Sequence, residues 1–310
     1  MSEPSRRVLV IAHTGREDAR VAARRLCAQL VAAGVCVRLL QNEFDDLALH
    51  PDVSTEIVES GPRAAQGCEL VIVLGGDGSI LRGAEIARPA GVPLLGVNLG
   101  HVGFLAEAES DDLDATVERV VQRDWSIEER LTLAVRVRSD GEVLHESWAL
   151  NEASVEKASR ERMLDLVLEV DDRPLSKWGA DGVVCATPTG STAYAFSAGG
   201  PIVWPELAAL LVVPLSAHAL FSRPLVVSPR STVAVELVAG TPGVGVLWCD
   251  GRRTYELPSG ARVEVQASDQ PVLLARLQPA PFTDRLVRKF GLPVAGWRGT
   301  AEASRPSKGG

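Results

Sequence analysis

The chain has 310 residues, 46% of them hydrophobic, and a formal net charge of −8 at pH 7. That is enough apolar material for one large or two ordinary domains with a full core. The acidic balance gives no general attraction to nucleic acid or to an anionic membrane, which argues against both as partners. The opening Met-Ser-Glu-Pro-Ser-Arg-Arg-Val precedes only a strand-length apolar run, and Leu207–Leu215 is short and interrupted by Pro214. Neither a secretory signal nor a membrane span is expected, and a soluble cytoplasmic protein is. Five cysteines, at 27, 36, 68, 185 and 249, show no C-x-x-C spacing and read as small buried hydrophobes.

In chain order, Val8–Ile11 reads as a strand, and Arg16–Ala33 as a helix with Leu26, Leu30 and Ala33 on one face and Gly34 at its end. Val35–Leu40, Leu70–Leu74 and Pro93–Val97 are further strands, with a short helix over Ser79–Arg88. Ser110 is the expected N-cap of a helix through Asp124 that presents Leu113, Val117 and Val120. Continuous apolar strands alternating with helices predict a Rossmann-like parallel sheet covered on both faces over residues 1–125. Near Trp125 the period changes to two. Leu131–Arg138, an Asp140-Gly141 turn and Glu142–Asn151 predict a hairpin. Leu164–Val170, Val183–Ala186, Thr232–Leu237, Gly245–Cys249, Ala261–Gln266 and Val272–Leu277 extend an all-β domain over 126–277. Residues 278–298 carry a last helix over Pro281–Phe290, with Thr283 as N-cap, that could return to the first domain. The small, polar residues 299–310 are expected to be disordered.

Leu70–Leu74 runs straight into Gly75-Gly76-Asp77-Gly78. Three glycines around one carboxylate let backbone N–H groups approach a polyphosphate and allow positive φ, and the turn lies beyond the carboxyl end of a parallel strand. An ordinary tight turn is the competing reading. The chain has no Gly-Lys pair, which excludes a Walker-type loop, and glycines at 75, 76, 78 and 83 miss the dinucleotide spacing. A carboxylate beside phosphates is unfavourable unless it holds a metal or accepts from a hydroxyl.

Asn151-Glu152 could clamp a vicinal diol, with a cap or solvated loop as the alternative. Asp181 sits between glycine-flanked residues, and Thr187-Pro-Thr-Gly-Ser-Thr-Ala-Tyr194 offers five hydroxyls to a nucleoside or phosphate, or else is a plain Ser/Thr-rich turn. None of the histidines at 13, 50, 101, 145 and 218 has metal-ligand spacing, although His101 could line the cleft. Ser79, Ser191 and Ser197 lack a nucleophile-elbow context.

Read together, Leu-Gly-Gly-Asp-Gly-Ser-Ile-Leu-Arg (74–82), Gly-Val-Asn-Leu-Gly-His-Val-Gly-Phe-Leu (96–105), Asn151-Glu152 and Asp-Gly-Val-Val-Cys-Ala-Thr-Pro-Thr-Gly-Ser-Thr-Ala-Tyr (181–194) strongly resemble the NAD kinases in order and spacing, actinobacterial members most of all. The resemblance implies an α/β domain followed by a β-sandwich-like domain. It also implies phosphoryl transfer from ATP or polyphosphate to the adenosine 2′-hydroxyl of NAD. It assigns the phosphate turn to Gly75, Gly76 and Gly78, and catalysis and NAD contact to Asp77, with Gly78 and Arg82 beside it. Asn151 and Glu152 would hold the adenosine part of NAD, while Asp181 and the run Thr192, Ala193, Tyr194, Ala195, Phe196 and Ser197 would surround its rings. Members assemble as homodimers or homotetramers. No carboxylate cluster marks a protein-built metal site, so Mg²⁺ is expected to arrive on the donor phosphates.

The chain departs from the family pattern at Ser79, Gly179, Leu215 and Ser216, the last two at places usually held by asparagines. Two rival readings follow from the same residues. One is a kinase of the same superfamily acting on a lipid or sugar phosphate, and the other is a module that binds NAD(H) without catalysis.

Overall fold

In the computed structural model, residues 6–294 are described apart from 100–102, 107, 110–112, 159–161, 241–243 and 279–280. The first half runs β1 (Arg7–Ala12), α1 (Glu17–Ala32), β2 (Cys36–Leu40), α2 (Gln41–Leu47), β3 (Thr55–Val58), β4 (Leu70–Leu74), α3 (Asp77–Ala90), β5 (Leu94–Asn98), β6 (Ala108–Glu109) and α4 (Leu113–Gln122). Strands β5, β4, β1, β2 and β3 lie side by side and parallel. Both faces of β1, β4 and β5 are covered, which explains why these three strands are apolar almost throughout. Leu26, Leu30, Val117 and Val120 of α1 and α4 pack on Val10, Ile72 and Val97 on one face, and Ile80 and Ala84 of α3 pack on Leu9, Ile11 and Val73 on the other. Each such side chain, fully buried, contributes about 1.5–3 kcal/mol.

The second half runs β7 (Ser126–Ser139), β8 (Glu142–Ala149), β9 (Glu152–Lys157), β10 (Leu164–Val170), β11 (Arg173–Ala180), β12 (Gly182–Ala186), α5 (Tyr194–Ser197), β13 (Leu210–Leu215), β14 (Leu225–Val227), β15 (Val233–Leu237), β16 (Gly245–Cys249), β17 (Arg253–Leu257), β18 (Arg262–Arg276) and α6 (Phe282–Phe290). Six antiparallel strands, in the order β14-β13-β12-β9-β16-β17, form one layer. The layer facing it comprises β7, β8, β10, β11, β15 and β18. Between the two lies a core of Trp178, Leu166, Leu168, Val155, Val235, Leu247 and Val263, a β-sandwich in the sense of two inner faces interdigitating.

The two halves share a hydrogen-bonded strand. β18 is antiparallel to β15 through Val233↔Val265 and parallel to β5 at Leu274↔Leu94. The sequence suggests two strands here, Ala261–Gln266 and Val272–Leu277. They are one, with a register shift against β7 between Ser268 and Val272 where the polar Ser-Asp-Gln interrupts the alternation.

Helix α3 lies close on the sheet because Gly83 leaves room. A Cβ there would stand 2.5 Å from Val73 Cγ2 and 2.9 Å from Leu94 Cδ1. α3 also starts earlier than Ser79, with Gly76 at its N-cap and Asp77 as its first residue. α6 is capped by Pro281 rather than Thr283, which falls inside the helix. It does return to the first domain, through Phe104. Ser110, His101 and the tail 299–310 lie outside the described residues.

Candidate active site

The glycine turn differs from expectation in one respect. Only Gly75 has positive φ (156°), and a Cβ on it would lie 2.5 Å from Ser79 Oγ. Gly76 is extended (φ −83°, ψ −175°), and Gly78 lies in the first turn of α3, with positive φ at neither. Among the described residues, a Cβ on Gly76 or Gly78 would meet nothing within 4 Å. The missing side chains leave a cradle, open among the described residues, beside the N-terminus of a 14-residue helix, where N–H groups and the helix dipole favour an anion.

Asp77 projects from the first turn of α3 and is partly buried. Its Oδ2 accepts from the Phe104 amide and its Oδ1 from the Leu105 amide, both at 3.2 Å. A side chain on Gly103 would collide with the same carboxylate. Carboxylate oxygens have lone pairs to spare beyond these two bonds, so the amides orient Asp77 without exhausting it. Arg82, one turn further on, is ion-paired with Glu43 of α2, a buried side chain that also accepts from the Ala12 amide at 2.8 Å. Burial pushes the Glu43 carboxyl above its usual range.

Asn151 and Glu152 sit at the start of β9, each 8% exposed. Their backbone is held by a residue the sequence reading passed over, Asp250, which follows β16 in the left-handed region (φ 53°). Its Oδ2 accepts from Leu150 N at 3.0 Å, and its Oδ1 from Asn151 N at 2.7 Å and Glu152 N at 3.3 Å. Arg253 donates to Asp250 at 2.6 Å, pairs with Glu85 of α3 at 3.2 Å and stacks on Trp148, whose ring Arg88 of α3 also covers. The helix that begins with Asp77 is thereby joined to the turn that carries Asn151 and Glu152.

Glu152 Oε2 is buried without a hydrogen-bond partner. Burial first, and then the neighbouring Asp250 charge, push its pKa up to about 8. Near neutral pH it is therefore mostly a carboxylic acid, able to donate as well as accept. The hydroxyl-rich turn packs directly beneath. Thr187 Oγ1 donates to Leu150 O at 2.6 Å, and a Cβ on Gly190 would strike the Asn151 carbonyl. So Thr187 and Gly190 support the pair rather than face a ligand.

Asp181, Tyr194 and Ser197 line a cavity of about 480 Å³ together with Glu156, Lys157 and Ser216. Lys157 pairs with Asp181 at 2.5 Å, and the Tyr194 hydroxyl donates to Glu156 at 3.3 Å. Burial and then Glu156 push the phenol up to about 12. Of the predicted run, Ala195 is buried in the core of its layer, Thr192 bonds back to the Thr189 carbonyl, and Phe196 packs at a tilt against Phe290, with ring centroids 4.8 Å apart. Ala193 precedes α5 as its cap.

Residues 8–125 match the model of the ATP-NAD kinase N-terminal domain, and residues 150–277 that of the ATP-NAD kinase C-terminal domain. The chain belongs to the ATP-NAD kinase family. It is 62% identical to an NAD kinase of Leifsonia xyli subsp. xyli over 95% of this chain and 97% of that one, and 61% identical to an NAD kinase of Thermobifida fusca over 96% and 93%. Among solved structures it is similar in fold to a yeast NADH kinase complexed with NADH, with TM-score 0.83, 23% identity and coverage of 95% of this chain and 90% of that one. A second match is an NAD kinase from Archaeoglobus fulgidus in complex with ATP, with TM-score 0.67, 23% identity and coverage of 92% and 97%. Both support the α/β and β-sandwich architecture. No helix among the described residues is long and apolar enough to cross a membrane.

Proposed function

We propose that this member of the ATP-NAD kinase family phosphorylates NAD to NADP, moving the terminal phosphoryl group of ATP onto the 2′-hydroxyl of the adenosine ribose. The observation that carries the reading, beside the family match over both halves, is Asp77: a lone carboxylate at a helix N-terminus, flanked by glycines whose Cβ positions are open. NAD lies with its adenosine end on Asn151 and Glu152 and its rings near Asp181 and the segment Thr192–Ser197. Arg82, partly exposed beside the turn, adds positive charge. Amides at Gly76 and Gly78 face the donor phosphates.

In the reaction the ribose oxygen bonds to the γ-phosphorus while the bond to the β-phosphate bridging oxygen breaks, releasing ADP. A carboxylate is a far weaker base than a ribose alkoxide and does not ionise the hydroxyl in advance. In a loose transition state the proton leaves late, so Asp77 orients the hydroxyl and takes the proton as the O–P bond forms. Fixed N–H groups of the turn stabilise charge on the transferred group.

Mg²⁺ carried by the donor phosphates would neutralise part of that charge. Among the described residues no group of three or more His, Cys, Asp or Glu side chains is arranged to hold a metal. Polyphosphate as an alternative donor, a homodimeric or homotetrameric state and a cytoplasmic location belong to the same proposal. Thin-layer analysis of labelled product, with NAD, diacylglycerol and fructose 6-phosphate offered separately and labelled ATP or polyphosphate as donor, tests it. Product from NAD supports the reading, product from either other acceptor favours a kinase of another class, and NAD binding without product favours a sensing module.

A further inference from the structure

Helix α6 touches both sides of the site. Its Phe290 ring lies 5.9 Å from Phe104, in the loop that contacts Asp77, and 4.8 Å from Phe196, in the segment assigned to NAD. Phe282 lies 6.0 Å from Phe104 and 5.3 Å, edge-on, from Trp204. Between these rings Arg285 donates through Nη1 to the Phe104 carbonyl at 2.9 Å and the Ala106 carbonyl at 3.2 Å. Phe104 is therefore fixed at three points: its amide on Asp77, its carbonyl on Arg285 and its ring on α6. Leu286 is the buried residue of α6.

We propose that Arg285 is a positioning residue for phosphoryl transfer: it fixes the backbone of Phe104–Ala106, whose amides at Phe104 and Leu105 aim the Asp77 carboxylate at the acceptor hydroxyl. The inference rests on the reading of Asp77 as the group that takes the ribose proton. Its physical basis is that a charge-assisted donor on two carbonyls of one short loop restrains the plane of the intervening peptides, and with it the direction of their N–H groups. Small misplacements of a catalytic group cost rate far more than they cost binding. Arg285 acts through the loop, on the catalytic side.

The test is a double-mutant cycle on the full chain with Arg285→Met and Asp77→Asn, read as turnover, NAD dissociation constant and melting temperature. Arg285→Met is expected to lower kcat by about ten- to a hundredfold and to leave NAD binding within about twofold. In the Asp77→Asn background the same substitution is expected to lower the residual rate by less than about twofold, because the group it positions is already disabled. A merely structural role would lower the melting temperature and leave that non-additivity absent. Multiplicative effects, or a kcat for Arg285→Met within about twofold of wild type, overturn the inference. Arg285→Lys, which keeps one donor, is carried through the same cycle so that poor folding of the Met variant leaves the test intact. Unimpaired turnover of Asp77→Asn alone is a different failure: it removes the catalytic reading of Asp77, and this inference with it.

Discussion

Asp250→Asn removes the charge and one acceptor oxygen of the supporting carboxylate while keeping its size and shape. Asparagine tolerates the left-handed backbone at φ 53°, so the turn itself is not perturbed. The carboxylate receives four donors, three from the 150–152 backbone and one from Arg253. An amide offers one oxygen, so at least one of the buried donors loses its partner, at about 1–3 kcal/mol each. Removing a buried charge, whose ionisation burial already opposes, returns part of this. The net expectation is a loss of about 2 kcal/mol and a melting temperature lower by about 4–8 °C. The pair Asn151 and Glu152 is loosened as well, so the NAD Michaelis constant rises by about tenfold, equivalent to about 1.4 kcal/mol. With the Asp250 charge gone, the Glu152 carboxyl titrates lower than its present value of about 8. Thermal melts and initial rates at varied NAD measure both effects. A variant with wild-type melting temperature and wild-type NAD Michaelis constant would refute the argument that Asp250 holds the acceptor pair.

Gly78→Ala is expected to fold, since its Cβ meets nothing within 4 Å, yet to lose at least tenfold in turnover if donor phosphates approach that face; normal rates would count against the phosphate cradle. Glu152 has a folded pKa raised above its unfolded value, so ionising it opposes folding: stability is highest below the unfolded pKa and falls as pH rises from about 4.5 to about 8. Glu152→Gln should flatten that slope in melts across pH 5–9 and keep NAD affinity constant above pH 8, where the wild type weakens; identical pH profiles would contradict a buried acid at this position. Ser216 adopts φ 48°, a conformation that asparagine accepts more readily than serine, so Ser216→Asn should raise the melting temperature by a few degrees, and a decrease would show that the strain is compensated locally.

The inner part of the parallel half was legible because β1, β4 and β5 are buried on both faces and α1 shows regular spacing; all four lie within a residue or two of their expected positions, whereas the half-exposed edge strand β3 was not expected. β9 and the apolar β13 were not read as strands, and other elements escaped notice because their pattern depends on distant partners. β11, with exposed Arg173, Pro174 and Leu175, and β17, with its alternating polar residues, are recognisable only once β10 and β16 are beside them. The short helix α2, which brings Glu43 to Arg82, also passed unseen. At the site, Asp77 and the open glycines stood out because local composition is the signal. Asp250 and Arg285 did not, since each acts on backbone far away in sequence, Asp250 about 100 residues from Leu150 and Arg285 181 residues from Phe104. The sequence Asp250-Gly251-Arg252-Arg253 at the end of an apolar strand was the available clue to the first. For Arg285, nothing local distinguishes it from the basic residues 288 and 289 on the same helix.

The central claim is that Asp77 takes the proton from the ribose hydroxyl of NAD, and Asp77→Asn tests it most directly. Steady-state NADP formation with ATP and Mg²⁺, an NAD titration and a melt are made on one preparation of wild type and variant. Turnover is expected to fall by about 10²–10⁴, as for loss of a positioned acid–base group. NAD affinity should stay within about tenfold, because one hydrogen bond to a hydroxyl is worth about 1 kcal/mol net. If Asp77 only braces the Phe104–Leu105 loop, the variant will melt earlier while its folded fraction turns over NAD at close to the wild-type rate, and that result would contradict the assignment.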